Sequence, residues 1–187
     1  MDRTRGFSGA LALMGGLLLV LPGCSTFRVT TDYDPEANFQ ELKSYAWLAK
    51  IRKTSDDPRL HNSLVDGRVR AAVDRELAAK GYSKAGTSSA DFLVTYYLGL
   101  EKKINIHTIH SSYGYGYRGW YGGYGGETFV DQYEEGSLLL DILDSEGDDL
   151  LWRGTARARV RSSNSPEERP RRINNAVAEI LSRFPPQ

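Results

Sequence analysis

The chain has 187 residues, with 24 Lys and Arg against 24 Asp and Glu, three His and a single Cys. That length fits one domain with a core of its own, and the balanced charge argues against a nucleic-acid partner, which wants a net basic surface. One Cys excludes an intramolecular disulfide, and no zinc-ligand spacing is present.

The N-terminus opens with Arg3 and Arg5, followed by an apolar run from Leu11 to Leu21. The run is too short to span a bilayer as a mature helix and has the form of a signal peptide. It ends in Leu21, Pro22, Gly23 and Cys24. This resembles the lipobox of bacterial lipoproteins, with Pro22 as a departure. The resemblance implies removal of residues 1–23, diacylation of the Cys24 sulfur and acylation of its new amine, palmitate among the chains. Acylation would also account for a lone thiol in an oxidising compartment. Three acyl chains, at about 0.8 kcal/mol per buried methylene, would hold the protein on a membrane. Ser25, where Asp would signal retention on the inner membrane, resembles outer-membrane sorting. The expected address is therefore the outer membrane, lipid-anchored and facing the periplasm. Cleavage removes two basic residues and one acidic residue, leaving 22 against 23. Residues 24–27 form the lipidated Cys and a tether. Its three residues after Cys24 reach at most about 10 Å, so the domain, residues 28–185, is expected against the membrane surface.

Arg28 to Tyr33 reads as a strand, closed by a turn at Asp32, Tyr33, Asp34 and Pro35. Ser44 to Leu48 reads as a second strand, and Lys50 to Asn62 as a polar loop. Ser63 with Asp66 suggests a capping box. Val65, Val69, Ala72, Val73 and Leu77 then recur at helical spacing, with Arg68, Arg70, Asp74 and Arg75 off that stripe. Gly81 stands where a left-handed C-terminal cap belongs, and Tyr82 can fold back on the last turn.

A long strand starts at Phe92. Phe92, Val94, Tyr96, Leu98 and Leu100, then Ile104 and Ile106, share one face. Thr95, Tyr97, Gly99, Glu101, Lys103, Asn105 and His107 share the other, the alternation of a half-buried strand. A Gly/Tyr-rich loop at 111–127 leads to a return strand, Phe129 to Asp144. Leu138 to Leu143 is apolar on both faces, so this strand is expected to be central. In the next strand, Leu151 to Arg161, Trp152, Gly154, Ala156, Ala158 and Val160 point inward and the odd positions are basic. An odd-length loop, Ser145 to Asp149, sets Ile142 opposite Trp152 and Asp141 opposite Arg153; a one-residue slip would mix the faces. Ser165, Pro166, Glu167 and Glu168 signal a final helix, with Pro170 able to delay its regular start. Its stripe is Ile173, Ala176, Val177, Ile180, Leu181 and Phe184, and Pro185 and Pro186 stop it. Two one-sided helices and a sheet with one apolar face predict an α+β two-layer sandwich: an antiparallel or mixed sheet of about five strands with both helices on one face. Trp47 and Trp152 are expected to be buried.

Several of these residues carry a resemblance. Asp32, Tyr33, Asp34 and Pro35, then Phe39, then Tyr45, Ala46 and Trp47, then Ala90 to Val94, and Leu151, Trp152, Arg153 and Gly154 look like the bacterial lipoprotein family catalogued as domain of unknown function 4136. The resemblance covers nearly all of the chain after the signal peptide. It implies a fold and an address and no activity.

Candidate sites are few. Tyr113, Tyr115, Tyr117, Trp120, Tyr121 and Tyr124 alternate with glycines that cannot pack a core. Such aromatics stack on sugar rings or apolar patches, or lie at a membrane interface. The bland alternative is a low-complexity loop. Arg153, Arg157, Arg159 and Arg161 form a basic stripe that could meet an anionic ligand or pair with Asp141 and nearby carboxylates. His107 and His110 point to opposite faces of a strand, so no metal site is expected there. No nucleophile elbow or phosphate-cradling glycine motif is present, and Glu134 and Glu135 diverge in a strand. No catalytic residue and no cofactor is therefore expected. The expected function is a non-enzymatic binding or scaffolding module of the cell envelope. Its partners would be the membrane, through acylated Cys24, and an envelope glycan or protein. A glycan or peptide hydrolase, or an accessory subunit of an envelope complex, is the alternative.

Overall fold

The computed structural model describes residues 27–48, 57–110, 126–160, 165 and 167–187, with 106–110 and 126–129 described as backbone. The elements are β1 (Arg28–Tyr33), β2 (Ser44–Trp47), α1 (Ser63–Ala79), β3 (Ser83–Lys84), β4 (Phe92–His110), β5 (Gly126–Leu143), β6 (Leu150–Arg159) and α2 (Glu168–Leu181). They form one sheet in the order β1-β6-β5-β4-β2-β3. β2 runs parallel to both β3 and β4, and the other pairings are antiparallel. The sheet is thus mixed, with six strands. The sixth is β3, two residues long and too short to show a period in the sequence.

The apolar alternation sets the layers. Phe92, Val94, Tyr96 and Leu98 of β4, Leu138, Leu140 and Ile142 of β5, and Trp152 and Ala156 of β6 lie in one buried cluster. Val69, Ala72, Val73 and Leu77 of α1 and Ala176, Val177, Ile180 and Leu181 of α2 belong to the same cluster. Burying each large side chain there contributes about 1.5–3 kcal/mol. Phe184, just past α2, closes this core with ring centroids 5.3 Å from Trp152, 5.6 Å from Tyr82 and 6.0 Å from both Phe39 and Phe92. Gly154 is required where β6 meets α2: a Cβ there would overlap the Trp152 ring and Ile180.

Register follows the sequence argument. Ile142 faces Trp152 and Asp141 faces Arg153. The loop differs from the expected odd-length Ser145 to Asp149: it has six residues, 144–149, and the register is kept because the ladder shifts by one residue, so that Leu143 faces Leu150. Asp144 Oδ1 organises the turn by accepting the backbone N–H of Gly147, Asp148 and Asp149 at 2.8, 2.9 and 3.1 Å. Gly81 caps α1 at φ +91°, and Tyr82 N–H bonds the Leu77 carbonyl at 3.0 Å.

Other expectations need correction. The cap of α1 is Asn62, not Ser63: its Oδ1 accepts the Val65 N–H at 3.0 Å. Asp66 turns instead to Arg70 and Tyr96. The return strand starts at Gly126, three residues before Phe129, so the last two residues of the expected loop belong to β5. Trp47 is half-buried, because its indole reaches the rim of the core, where polar partners await it, whereas Trp152 is fully buried.

Candidate functional site

Three charged residues of α1, Asp66, Arg70 and Asp74, recur every four positions and so lie along one side of the helix. That side meets β2 and β4. Asp74 Oδ1 accepts the Tyr45 hydroxyl at 2.9 Å and the Trp47 Nε1–H at 2.8 Å, while its Oδ2 accepts Lys84 Nζ at 2.8 Å. Asp66 Oδ1 accepts the Tyr96 hydroxyl at 2.8 Å and Arg70 Nε–H at 2.9 Å. The Arg70 guanidinium lies 4.5 Å from the Trp47 ring centroid, a cation–π contact that joins the two groups.

The electrostatics say what this seam can do. Burial alone would raise the Asp74 pKa, but the donors Lys84, Trp47 and Tyr45 outweigh it and hold the carboxyl below its ordinary value. Burial, then the hydrogen bond and charge of Asp74, push the Tyr45 hydroxyl far above the ordinary phenol range. Burial and Asp66 do the same to Tyr96. Both phenols therefore stay protonated and donate to the two carboxylates, an arrangement that fastens α1 to the sheet. Sequence reasoning missed this seam. Its signal was the four-residue spacing of Asp66, Arg70 and Asp74 beside the apolar stripe.

The opposite face of the sheet is mixed: Ala46, Ala90 and Leu93 form a small buried apolar cluster, and polar residues lie beside it. Asp141 is 3% exposed. Arg153 grips it with Nε–H and Nη2–H, each at 2.7 Å from one carboxylate oxygen. That bidentate bond, against the effect of burial, raises the Arg153 pKa. Thr95, opposite Asp141 in the ladder, is fully buried, and its Oγ1 has no hydrogen-bond partner.

The arginine stripe is divided among separate tasks. Arg153 belongs to Asp141. Arg159 bonds Asp131 at 2.9 Å and stacks 4.6 Å from the Tyr133 ring centroid. Arg157 is exposed and faces Arg28 across the β1–β6 ladder. Arg161 lies outside the described residues, as do Cys24 and the aromatic set Tyr113, Tyr115, Tyr117, Trp120, Tyr121 and Tyr124.

What carries that aromatic set is described. β6 ends at Arg159, opposite Glu135, which in turn faces Glu101. Beyond this row β4 and β5 continue as a two-stranded arm, paired from Lys102–Glu134 to His110–Gly126. At its root, Arg59 Nη1 and Nη2 donate to Glu134, both at 3.2 Å. Among the described residues no group of three His, Cys, Asp or Glu side chains could hold a metal ion, and no helix is long and apolar enough to cross a membrane.

Solved structures share this fold. A DUF4136 family protein from Bacteroides thetaiotaomicron VPI-5482 is 20% identical, with 86% of this chain and 97% of that one covered at a TM-score of 0.52. A PDZ domain protein from Parabacteroides distasonis ATCC 8503 is 13% identical, also with a TM-score of 0.52; the match covers 87% of this chain and 36% of that one. This chain thus spans about a third of the latter's length. At such identities the likeness is one of fold. No curated protein matches the chain. Residues 29–186 match the family described as Domain of unknown function (DUF4136), and the chain belongs to that family.

Proposed function

We propose that this protein is a lipid-anchored, non-enzymatic binding or scaffolding module of the cell envelope, held by acylated Cys24 on the periplasmic side of the outer membrane. The observation that carries this reading is the division of labour in the fold. Asp66, Asp74 and Asp141 are each engaged by donors within the domain. The arm, by contrast, stands clear of the core and carries the Tyr/Gly-rich stretch between His110 and Gly126. Phe27 packs against the core, which leaves only Ser25 and Thr26 between it and Cys24. The aromatic set, Tyr113 to Tyr124, is the contact we assign to an envelope glycan or protein partner, because aromatic faces bind sugars and apolar patches.

Two measurements test the reading. Cell membranes washed in high salt should retain the natural protein and release Cys24→Ala; retention of both would remove the anchor. The full chain titrated with peptidoglycan fragments or lipopolysaccharide should give a saturable tryptophan fluorescence shift that Trp120→Phe abolishes. A shift that persists in Trp120→Phe would place binding elsewhere.

A further inference from the structure

The strand order locates the membrane-facing end of the domain. β1 is antiparallel to β6, and Arg28 lies level with Arg157, Ser137 and Gly99. The chain therefore enters the sheet at the end from which the arm leaves. Cys24 precedes Arg28 by four residues, a reach of at most about 14 Å. From the Gly99 level β4 runs eleven residues to the arm's end at His110, about 36 Å at about 3.3 Å per residue. An anchor so close to that end brings the arm to the bilayer.

Exposure supports the same orientation. Among the described residues, the three most exposed large apolar side chains are Leu64, Ile104 and Val130, at 67, 60 and 58%. Ile104 pairs with Gln132 and Ile106 with Val130, so Ile104 and Val130 are diagonal neighbours on the helix-side face of the arm. Leu64 is in the first turn of α1, whose lead-in Arg59 holds Glu134 at the arm root. The other large apolar residues exposed among the described ones, Tyr33 and Leu150, are less exposed and lie at the far end of the sheet. Edge strand β1 offers a bilayer mainly Arg28, Thr30, Thr31 and Asp32. The exposed cations Arg28, Arg157 and Lys102 at the arm end stand beside the exposed carboxylates Glu101 and Asp131, so the charge there is mixed and the apolar residues carry the orientation.

We infer that Leu64, Ile104 and Val130 form a surface that lies on the phospholipid membrane, with the arm lying along it. The inference rests on the lipid-anchored reading above. The test uses the full-length lipoprotein, purified from membranes and reconstituted into phosphatidylethanolamine–phosphatidylglycerol vesicles with brominated acyl chains. Ile104→Cys, Val130→Cys and Leu150→Cys are each labelled with bimane; acylated Cys24 does not react. All three sites are exposed, and circular dichroism checks each fold. Quenching at 104 and 130 at least twofold stronger than at 150 is expected. Equal quenching at the three sites, on protein that stays with the vesicles through a high-salt wash, overturns the inference and leaves the anchor standing. Natural protein that washes off, with position 24 reactive to bimane, overturns the anchor and this inference with it.

Discussion

Asp74 of α1 receives the indole N–H of Trp47 from β2 at 2.8 Å, on the same oxygen that accepts the Tyr45 hydroxyl. One helix carboxylate thus holds two aromatic donors that alternate along the strand on either side of Ala46. This explains in physical terms why Tyr45, Ala46 and Trp47 occur together: two large donors reach the helix side, and a small residue, 3% exposed, faces the opposite side.

Asp74→Ala should destabilise the protein by about 2 kcal/mol, since a buried donor left unpaired costs about 1–3 kcal/mol. Trp47→Phe removes the donor together with its need and should cost less than Asp74→Ala. Urea unfolding of the two single variants and the double variant measures their coupling, expected at about 1 kcal/mol. Additive effects would deny that the bond contributes.

The same carboxylate makes stability pH-dependent. Asp74 is held below its ordinary value in the fold, so the unfolded chain binds its proton at higher pH. Its contribution is fully present above the ordinary value of 3.8 and is lost as pH falls through the depressed folded value. Thermal melts from pH 6 down to pH 2 should show a steeper acid loss for the natural protein than for Asp74→Asn. Parallel curves would contradict the assignment.

Two glycines should respond in opposite directions. Gly154→Ala forces a methyl into the Trp152 ring and Ile180; such overpacking costs about 1–3 kcal/mol, and we expect the upper end because both neighbours are fully buried. Gly67 lies inside α1 with nothing within 4 Å of an added Cβ. Gly67→Ala should therefore stabilise by about 0.5–1 kcal/mol. Urea midpoints of the two variants on either side of the natural value would be the confirming result.

The Asp141–Arg153 pair should be asymmetric. The Asp141 side chain is 4% exposed and that of Arg153 42%. Arg153→Ala strands a buried carboxylate, at about 3 kcal/mol. Asp141→Ala leaves a guanidinium that water already reaches, and should cost less. Equal losses in chemical denaturation would show that the charge of Asp141 is solvated despite its burial.

Much of this fold was legible in the chain because side-chain period and burial are local properties. The alternation from Phe92 to Leu98 assigned the helix-facing side of β4, and its counterpart in β5 and β6 gave the register of Asp141 with Arg153, since any slip by one residue would turn apolar positions outward. The stripe from Val69 to Leu77 assigned the buried side of α1, and Gly81 its end. The cap was misplaced by one residue because Asn62 and Ser63 both suit that position, and geometry alone selects between them.

By itself, then, the sequence determined the layers: which helices and which of the longer strands form, which side of each is buried, and how consecutive antiparallel strands align. Only the tertiary structure decided the order of the sheet. Placing β2 parallel beside β4, adding β3 outside it and carrying β1 to the far edge are pairings between distant segments, which no local period encodes. It also decided that Asp66, Arg70 and Asp74 face the aromatic donors of the sheet. Finally, it set the arm at the same end as the entry to β1, because the direction of β1 is fixed by its antiparallel partner β6 and not by its own six residues.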